Sequence, residues 1–204
     1  NATLTSLSLA VNCLCEEGCQ AAASMLASNR DLTRLDLSDT FIPASACASL
    51  GSVLATQNRS LLELDLSKNP LGDEGCRHLA AALGTNTSLM RLSLCQAQVG
   101  DVGAHALGVA LLYAAEHKVA TSLLELDLSA NSVSVTGVRM MCNALRRDIP
   151  LTDLNFYGNQ LGDAGCAELA AAVARNESLM DLCLSRNGIS DDGALAMAQA
   201  LMDN

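Results

Sequence analysis

The stretch Leu61–Asn69, LLELDLSKN, puts Leu at its first, fourth and sixth positions and Asn at its ninth. The same spacing starts at Leu4, Leu32, Leu61, Leu89, Leu123, Leu151 and Leu179, with gaps of 28, 29, 28, 34, 28 and 28 residues. A chain that repeats at one period folds as a stack of like units, each covering its neighbour's apolar face. Residues 1–204 therefore read as one continuous array. The opening Asn-Ala-Thr-Leu matches Asn176–Leu179, and Asn204 aligns with Asn176, so the array reads as a segment of a longer protein. With both ends at repeat joints and no polar cap, it is expected to be prone to end-to-end self-association.

Within each unit, Leu-x-x-Leu-x-Leu alternates apolar and polar, the mark of a short strand with one face buried. The ninth position is Asn in five units (Asn12, Asn69, Asn131, Asn159, Asn187), an amide suited to the turn that leaves the strand; Thr40 and Ala97 interrupt it. An aliphatic residue holds the eleventh position throughout, and the fifteenth is Gly except at Ala46. Apolar residues then recur at a spacing of four, as in Leu79 and Leu83 or Leu107 and Leu111, which predicts a helix. Aromatics are only 2% of the chain, so Leu and Ala are expected to fill the core. Parallel strands stack about 4.8 Å apart and packed helices roughly 8–10 Å apart, so such an array curves with its strands inside.

These residues resemble the leucine-rich repeats of the ribonuclease-inhibitor type, as also found in the sensor domains of NOD-like receptors and in Ran GTPase-activating protein. The resemblance spans the chain, and implies an α/β solenoid: a curved horseshoe arc of seven repeats of about 28–29 residues, parallel strands concave and helices convex. It departs from the pattern in the 34-residue fourth unit and in the two missing Asn. The matching residues are structural, so the fold does not fix the function.

Net charge is −10, which opposes sequence-independent nucleic-acid binding. No apolar run approaches the roughly 18 residues of a membrane span. The nine Cys fall at positions set by the repeat: Cys19, Cys47, Cys76 and Cys166 share one packing column. That pattern is not a disulfide framework and points to a reducing, cytoplasmic compartment. Cys13, Cys15 and Cys19 lack a nearby fourth ligand, so no metal or other cofactor is expected. Cys95 and Cys183 fall on the exposed strand face and are the candidate reactive thiols. No His stands beside a Ser or Cys nucleophile, and no enzyme activity is expected. The sequons at Asn1, Asn58, Asn86 and Asn176 are read as the normal spelling of the helix-to-strand joint.

Alternation exposes the third, fifth and seventh positions of each unit on the concave face. The third-position column runs Ser6, Arg34, Glu63, Arg91, Glu125, Asp153, Asp181. Signs alternate from Arg34 to Glu125, a ladder that can pair with itself; Glu125, Asp153 and Asp181 then stand three acids in a row. Asp127, Asn155 and Tyr157 lie beside them, Arg186 is the nearby cation expected to offset one acid, and Asp36 and Asp65 form a second acidic pair. The partner expected here is a protein with a basic surface, the array acting as a protein–protein interaction module. Resemblance to NOD-like receptors implies a ligand-sensing or autoinhibitory part of a larger intracellular protein. Alternatives are a GTPase-activating segment, with Arg34 or Arg91 at the nucleotide, or an architectural subunit of a large assembly. The extra residues of unit four, around Glu116–Thr121, are read as a longer helix and a surface bulge rather than a second contact site.

Overall fold

In the computed structural model the described residues are 3–147 and 149–203. Seven three-residue strands run in chain order through one parallel sheet: β1 Ser6–Ser8, β2 Arg34–Asp36, β3 Glu63–Asp65, β4 Arg91–Ser93, β5 Glu125–Asp127, β6 Asp153–Asn155 and β7 Asp181–Cys183. A helix follows each: α1 Cys15–Ser28, α2 Cys47–Thr56, α3 Gly72–Leu83, α4 Asp101–Glu116, α5 Val135–Leu145, α6 Gly162–Val173 and α7 Asp191–Asp203. The register pairs like positions, so Leu35, Leu64, Leu92, Leu126 and Leu154 form one buried row. The aliphatic eleventh position forms a second, with Ile42, Leu71, Val99, Val133 and Leu161 all buried. Phe156 departs from the expected Leu and Ala core, filling a sixth-position slot with no exposure.

Hydrogen bonds between units hold the stack in register. The Asn69 Oδ1 accepts from the backbone N–H groups of Thr40 and Ile42 in the preceding unit, and its Nδ2 donates to the Leu37 and Leu66 carbonyls. Asn131, Asn159 and Asn187 repeat the arrangement. The amide thus serves the neighbouring unit as well as its own turn. Where Asn is missing the links differ: Thr40 O accepts from Leu14 and Cys15 N–H, and beside Ala97 the Leu71 N–H turns to Asn69 O in its own unit.

A second amide ladder crosses the opposite edge. Asn58 Nδ2 donates to Leu26 O, Asn86 Nδ2 to Leu54 O and Asn176 Nδ2 to Leu145 O. All three side chains are buried, so these sequons present no amide for a glycan. Asn1 lies outside the described residues.

Carboxylates form a third set of links. Asp73 Oδ1 accepts from Gly100 and Gly103 N–H at the start of α4; Asp101 does the same for Ser134 and Gly137 at α5, and Asp163 for Ser190 and Gly193 at α7. Each acid caps the helix of the next unit rather than its own. This explains part of the fifteenth-position Gly column: a Cβ at Gly103, Gly137 or Gly193 would stand 2.6–2.8 Å from that oxygen.

Unit four behaves as expected. Its extra residues lengthen α4, and the His117 ring stacks on Tyr113 at 4.0 Å past the helix end. The last unit has no neighbour on its outer side. Leu179, Leu182, Leu184 and Met197 are only partly buried there, and Met180 is 88% exposed.

Candidate functional site

Three residues per strand leave the odd side chains of the sheet facing outward, and they line an open groove of about 410 Å³. Of the nine residues expected at the site, Asp65, Glu125, Asp127, Asp153, Asn155 and Asp181 line this groove. Asp36, Tyr157 and Arg186 lie outside its lining. Cys183, the seventh-unit thiol, does line it.

The third-position column divides in two. Arg34 lies 3.5 Å from Glu63, Glu63 lies 3.8 Å from Arg91, and Arg91 lies 2.6 Å from Glu125. This half is paired with itself across β2 to β5, and both candidate arginine fingers, Arg34 and Arg91, are engaged. Glu125 accordingly leaves the group of unpaired acids. Asp153 and Asp181 remain as register neighbours, and neither forms an ion pair among the described residues. Among the described residues, Asp153 accepts only from the adjacent Thr152 hydroxyl, at 2.6 Å.

The fifth-position acids have a local task. Asp36, Asp65 and Asp127 each accept from the backbone N–H two residues on, closing the turn that leaves the strand. Asn155 does the same for Tyr157. Asp36 also takes the Ser38 and Ser8 hydroxyls. Burial pushes the Asp36 carboxyl up, but those hydrogen bonds and the nearby Arg34 outweigh it and hold it below its ordinary value. The oxygens of Asp36 are therefore committed to structure, whereas one Asp153 oxygen holds the Thr152 hydroxyl.

Arg186 departs from its expected place. Its guanidinium lies over the Tyr157 ring, 5.7 Å from the centroid, and it forms no ion pair among the described residues. The cause is local: the eighth position of every unit is left-handed, φ 57° at Arg186, and this turn carries the side chain back over unit six. Tyr157 is 37% exposed, and a cation on its face is worth about 0.5–1 kcal/mol at such a site.

The thiols sort only in part as their positions imply: Cys19, Cys47, Cys76, Cys142 and Cys166 are buried, but Cys13 and Cys15, expected buried or half-buried with Cys19, are exposed. All nine Cys are free. Burial pushes Cys19 up to about 11 and Cys47, Cys76 and Cys142 to about 12, which keeps them protonated. Cys95 and Cys183 are half-exposed on the sheet face. Among the described residues no three His, Cys, Asp or Glu side chains are grouped to hold a metal, and no helix is long and apolar enough to cross a membrane.

Sequence reasoning missed two features. The carboxylate caps at Asp73, Asp101 and Asp163 left only the Gly column as a signal. The arginines Arg146 and Arg147 fall in one unit and Arg175 in the next, with no shared motif.

Known proteins share this architecture. The Leucine Rich repeat family matches residues 57–80, 119–142, 149–170 and 175–198. Ribonuclease inhibitor of Mus musculus is 38% identical over 147 residues, which is 71% of this chain and 31% of the inhibitor. NACHT, LRR and PYD domains-containing protein 5 of Homo sapiens is 37% identical over 146 residues, again 71% of this chain but 12% of that protein. The chain thus spans less than a third of either relative. The tropomodulin C-terminal domain of Caenorhabditis elegans superposes with a TM-score of 0.61 at 17% identity, over 78% of this chain and 92% of that one. The actin-binding site 2 of leiomodin-1 gives 0.60 at 19% identity, over 75% and 86%, a likeness of fold alone. With its asparagine ladder, parallel sheet and matched segments together, the chain is an array of leucine-rich repeats homologous to those of ribonuclease inhibitor and the NACHT, LRR and PYD domains-containing proteins.

Proposed function

We propose that the array is a protein-binding module that grips a partner with a basic surface at the acidic end of its inner face. The observation that carries this reading is the pair Asp153 and Asp181: register neighbours with no cation between them, while Glu63 and Glu125 of the same column are paired with arginines. Like charges side by side cost stability, and a basic partner relieves that cost. Tyr157, held by Arg186 beside them, supplies an aromatic anchor of the kind that dominates interfaces. The sheet fixes these groups in advance, so little ordering entropy is lost on binding. Ribonuclease inhibitor, by its name, also acts on another protein. In this reading the array is the ligand-sensing or autoinhibitory part of a larger intracellular protein. The last unit, with Met180 and Leu201 exposed, invites self-association of the array.

The test is a titration of the captured partner against the parent, a triple replacement (Glu125→Gln, Asp153→Asn, Asp181→Asn) and Tyr157→Ala. Tyr157→Ala should weaken binding by about 2 kcal/mol. The triple replacement should slow association and flatten its dependence on salt, with the fold retained. Unchanged affinity in both variants would sink the site.

A further inference from the structure

Where the helices end, arginines of two neighbouring units meet in one cleft. Arg146 and Arg147 follow α5, and Arg175 follows α6. With Leu112 of α4 and Asn143 of α5 they line a cleft of about 440 Å³. It continues past Asn176, Glu177 and Ser178, where the same three arginines line a further 420 Å³. These are three of the 12 basic residues in a chain of net charge −10, so their convergence is not a sample of the general surface.

Arginines at helix ends ordinarily close the last carbonyls, and two here do so. Arg59 donates to the Leu54, Ala55 and Asn58 carbonyls, and Arg30 to those of Ala27 and Asn29. At α5 and α6 the main chain has already done this. Arg146 and Arg147 N–H close Cys142 and Ala144, Ala174 and Arg175 N–H close Ala170 and Ala172, and Asn176 Nδ2 takes Leu145 O. The exposed side chains of Arg147 and Arg175 make no hydrogen bond or ion pair among the described residues. Arg146 is held at the back of the cleft by Asn143 Oδ1 at 2.9 Å and by Glu168 at 3.8 Å. Glu168 is itself shared with Arg139 at 3.5 Å, and Glu177 stands at the rim. Asp148, next in sequence, lies outside the described residues.

We propose that this cleft binds a phosphorylated side chain on a segment of a protein. A guanidinium offers paired N–H donors in a fixed fork that matches phosphate oxygens, and two free forks beside a third anchored one suit a compact dianion. The chemistry favours this source over other phosphates. A nucleic acid would extend its charge well beyond three arginines, over an acidic protein that repels it. An anionic membrane is recognised by clusters of about 4–8 basic residues, more than the cleft offers. The cleft lies at the helix ends, separate from the groove on the sheet face, so it stands or falls independently of the basic-partner reading.

The experiment is an NMR titration reading the Arg side-chain Nε–H signals. The probes are a Gly-Ser peptide carrying one phosphoserine, its unphosphorylated form, and a form with Glu in place of phosphoserine. The phosphopeptide should shift Arg147 and Arg175 and bind roughly tenfold more tightly than either control. The pair Arg147→Gln and Arg175→Gln should lose that preference while melting at the parent temperature, since neither side chain is bonded in the fold. No response of either arginine, equal affinity for the unphosphorylated or Glu peptide, or an unaltered preference in the double variant overturns the proposal. So does displacement of the phosphopeptide by phosphatidylserine vesicles at equal phosphate concentration, which would make the cleft a lipid site.

Discussion

The inner face has two halves built on one scaffold. From β2 to β5 its third-position charges alternate and meet in a chain of three ion pairs. From β6 to β7 the same column holds Asp153 and Asp181 with no cation between them. Both halves have the same strand length and register, and although Leu182 of β7 is only partly buried, the charge difference lies in the outward side chains. A solenoid separates the residues that hold it up from those it displays, and a change in the displayed column leaves the stack untouched. That is why a charge pattern can mark a site here, where the fold itself marks none.

The comparison requires a shared scaffold, and the largest expected effect tests it. Asn69→Ala in the paired half strands the Thr40 and Ile42 N–H groups and the Leu66 carbonyl. Asn159→Ala in the acidic half strands the Val133 N–H, while the Leu128 and Phe156 carbonyls keep Asn131 and Asn187 as donors. A buried polar group left unpaired costs about 1–3 kcal/mol, and partial relaxation limits the sum, so Asn69→Ala should lose on the order of 3 kcal/mol and Asn159→Ala about 1–3 kcal/mol. Urea unfolding should show a loss in both, the larger at Asn69. A loss confined to one would mean that the halves differ in their interior as well as on their surface.

Much of this scaffold is legible in the sequence because each structural position recurs. Leu64, Asn69, Leu71 and Gly75 have counterparts in most units, and repetition turns a weak local signal into a strong one. What stays hidden is who bonds to whom. Asn131 reaches Leu94 O across 37 residues, and Asp101 caps Gly137 across 36, so a reading of one unit finds the donor without its acceptor. The site is legible to the same depth. Register follows from the period and fixes the column order Arg91, Glu125, Asp153, Asp181. Side-chain choice does not follow from it. Glu125 is taken by Arg91, and Arg186 turns to Tyr157 instead of to an acid, both set by rotamers and a left-handed turn.

The halves can be made alike by one substitution. Asp153→Arg would continue the alternation and place a cation between Glu125 and Asp181, its register neighbours. An exposed ion pair contributes about 0.2–1 kcal/mol, and removal of the like-charge contact adds to it. In a chain of this size roughly 1 kcal/mol raises Tm by about 2–4 °C. The variant should therefore melt slightly higher and bind the basic partner less well. A lower Tm would show that Asp153 is already compensated in the folded array.

The smallest effect concerns acid. Asp36 belongs to the paired half, where it accepts from Ser8, Ser38 Oγ and Ser38 N–H, and its carboxyl is held below the ordinary value. A carboxyl depressed by folding contributes stability above its unfolded pKa, and that contribution is lost as pH falls through the folded value. Asp36→Asn keeps an oxygen for the Ser38 N–H but cannot bind or release a proton. At neutral pH the variant should be slightly less stable than the parent, because a charged acceptor bonds more strongly than a neutral one. On acidification the parent should lose this advantage and the variant should not, so their melting temperatures converge below the usual carboxylate range. A constant gap between the two curves down to the acid transition would show that Asp36 contributes geometry and not charge. The paired half would then differ from the acidic half only in its third-position column.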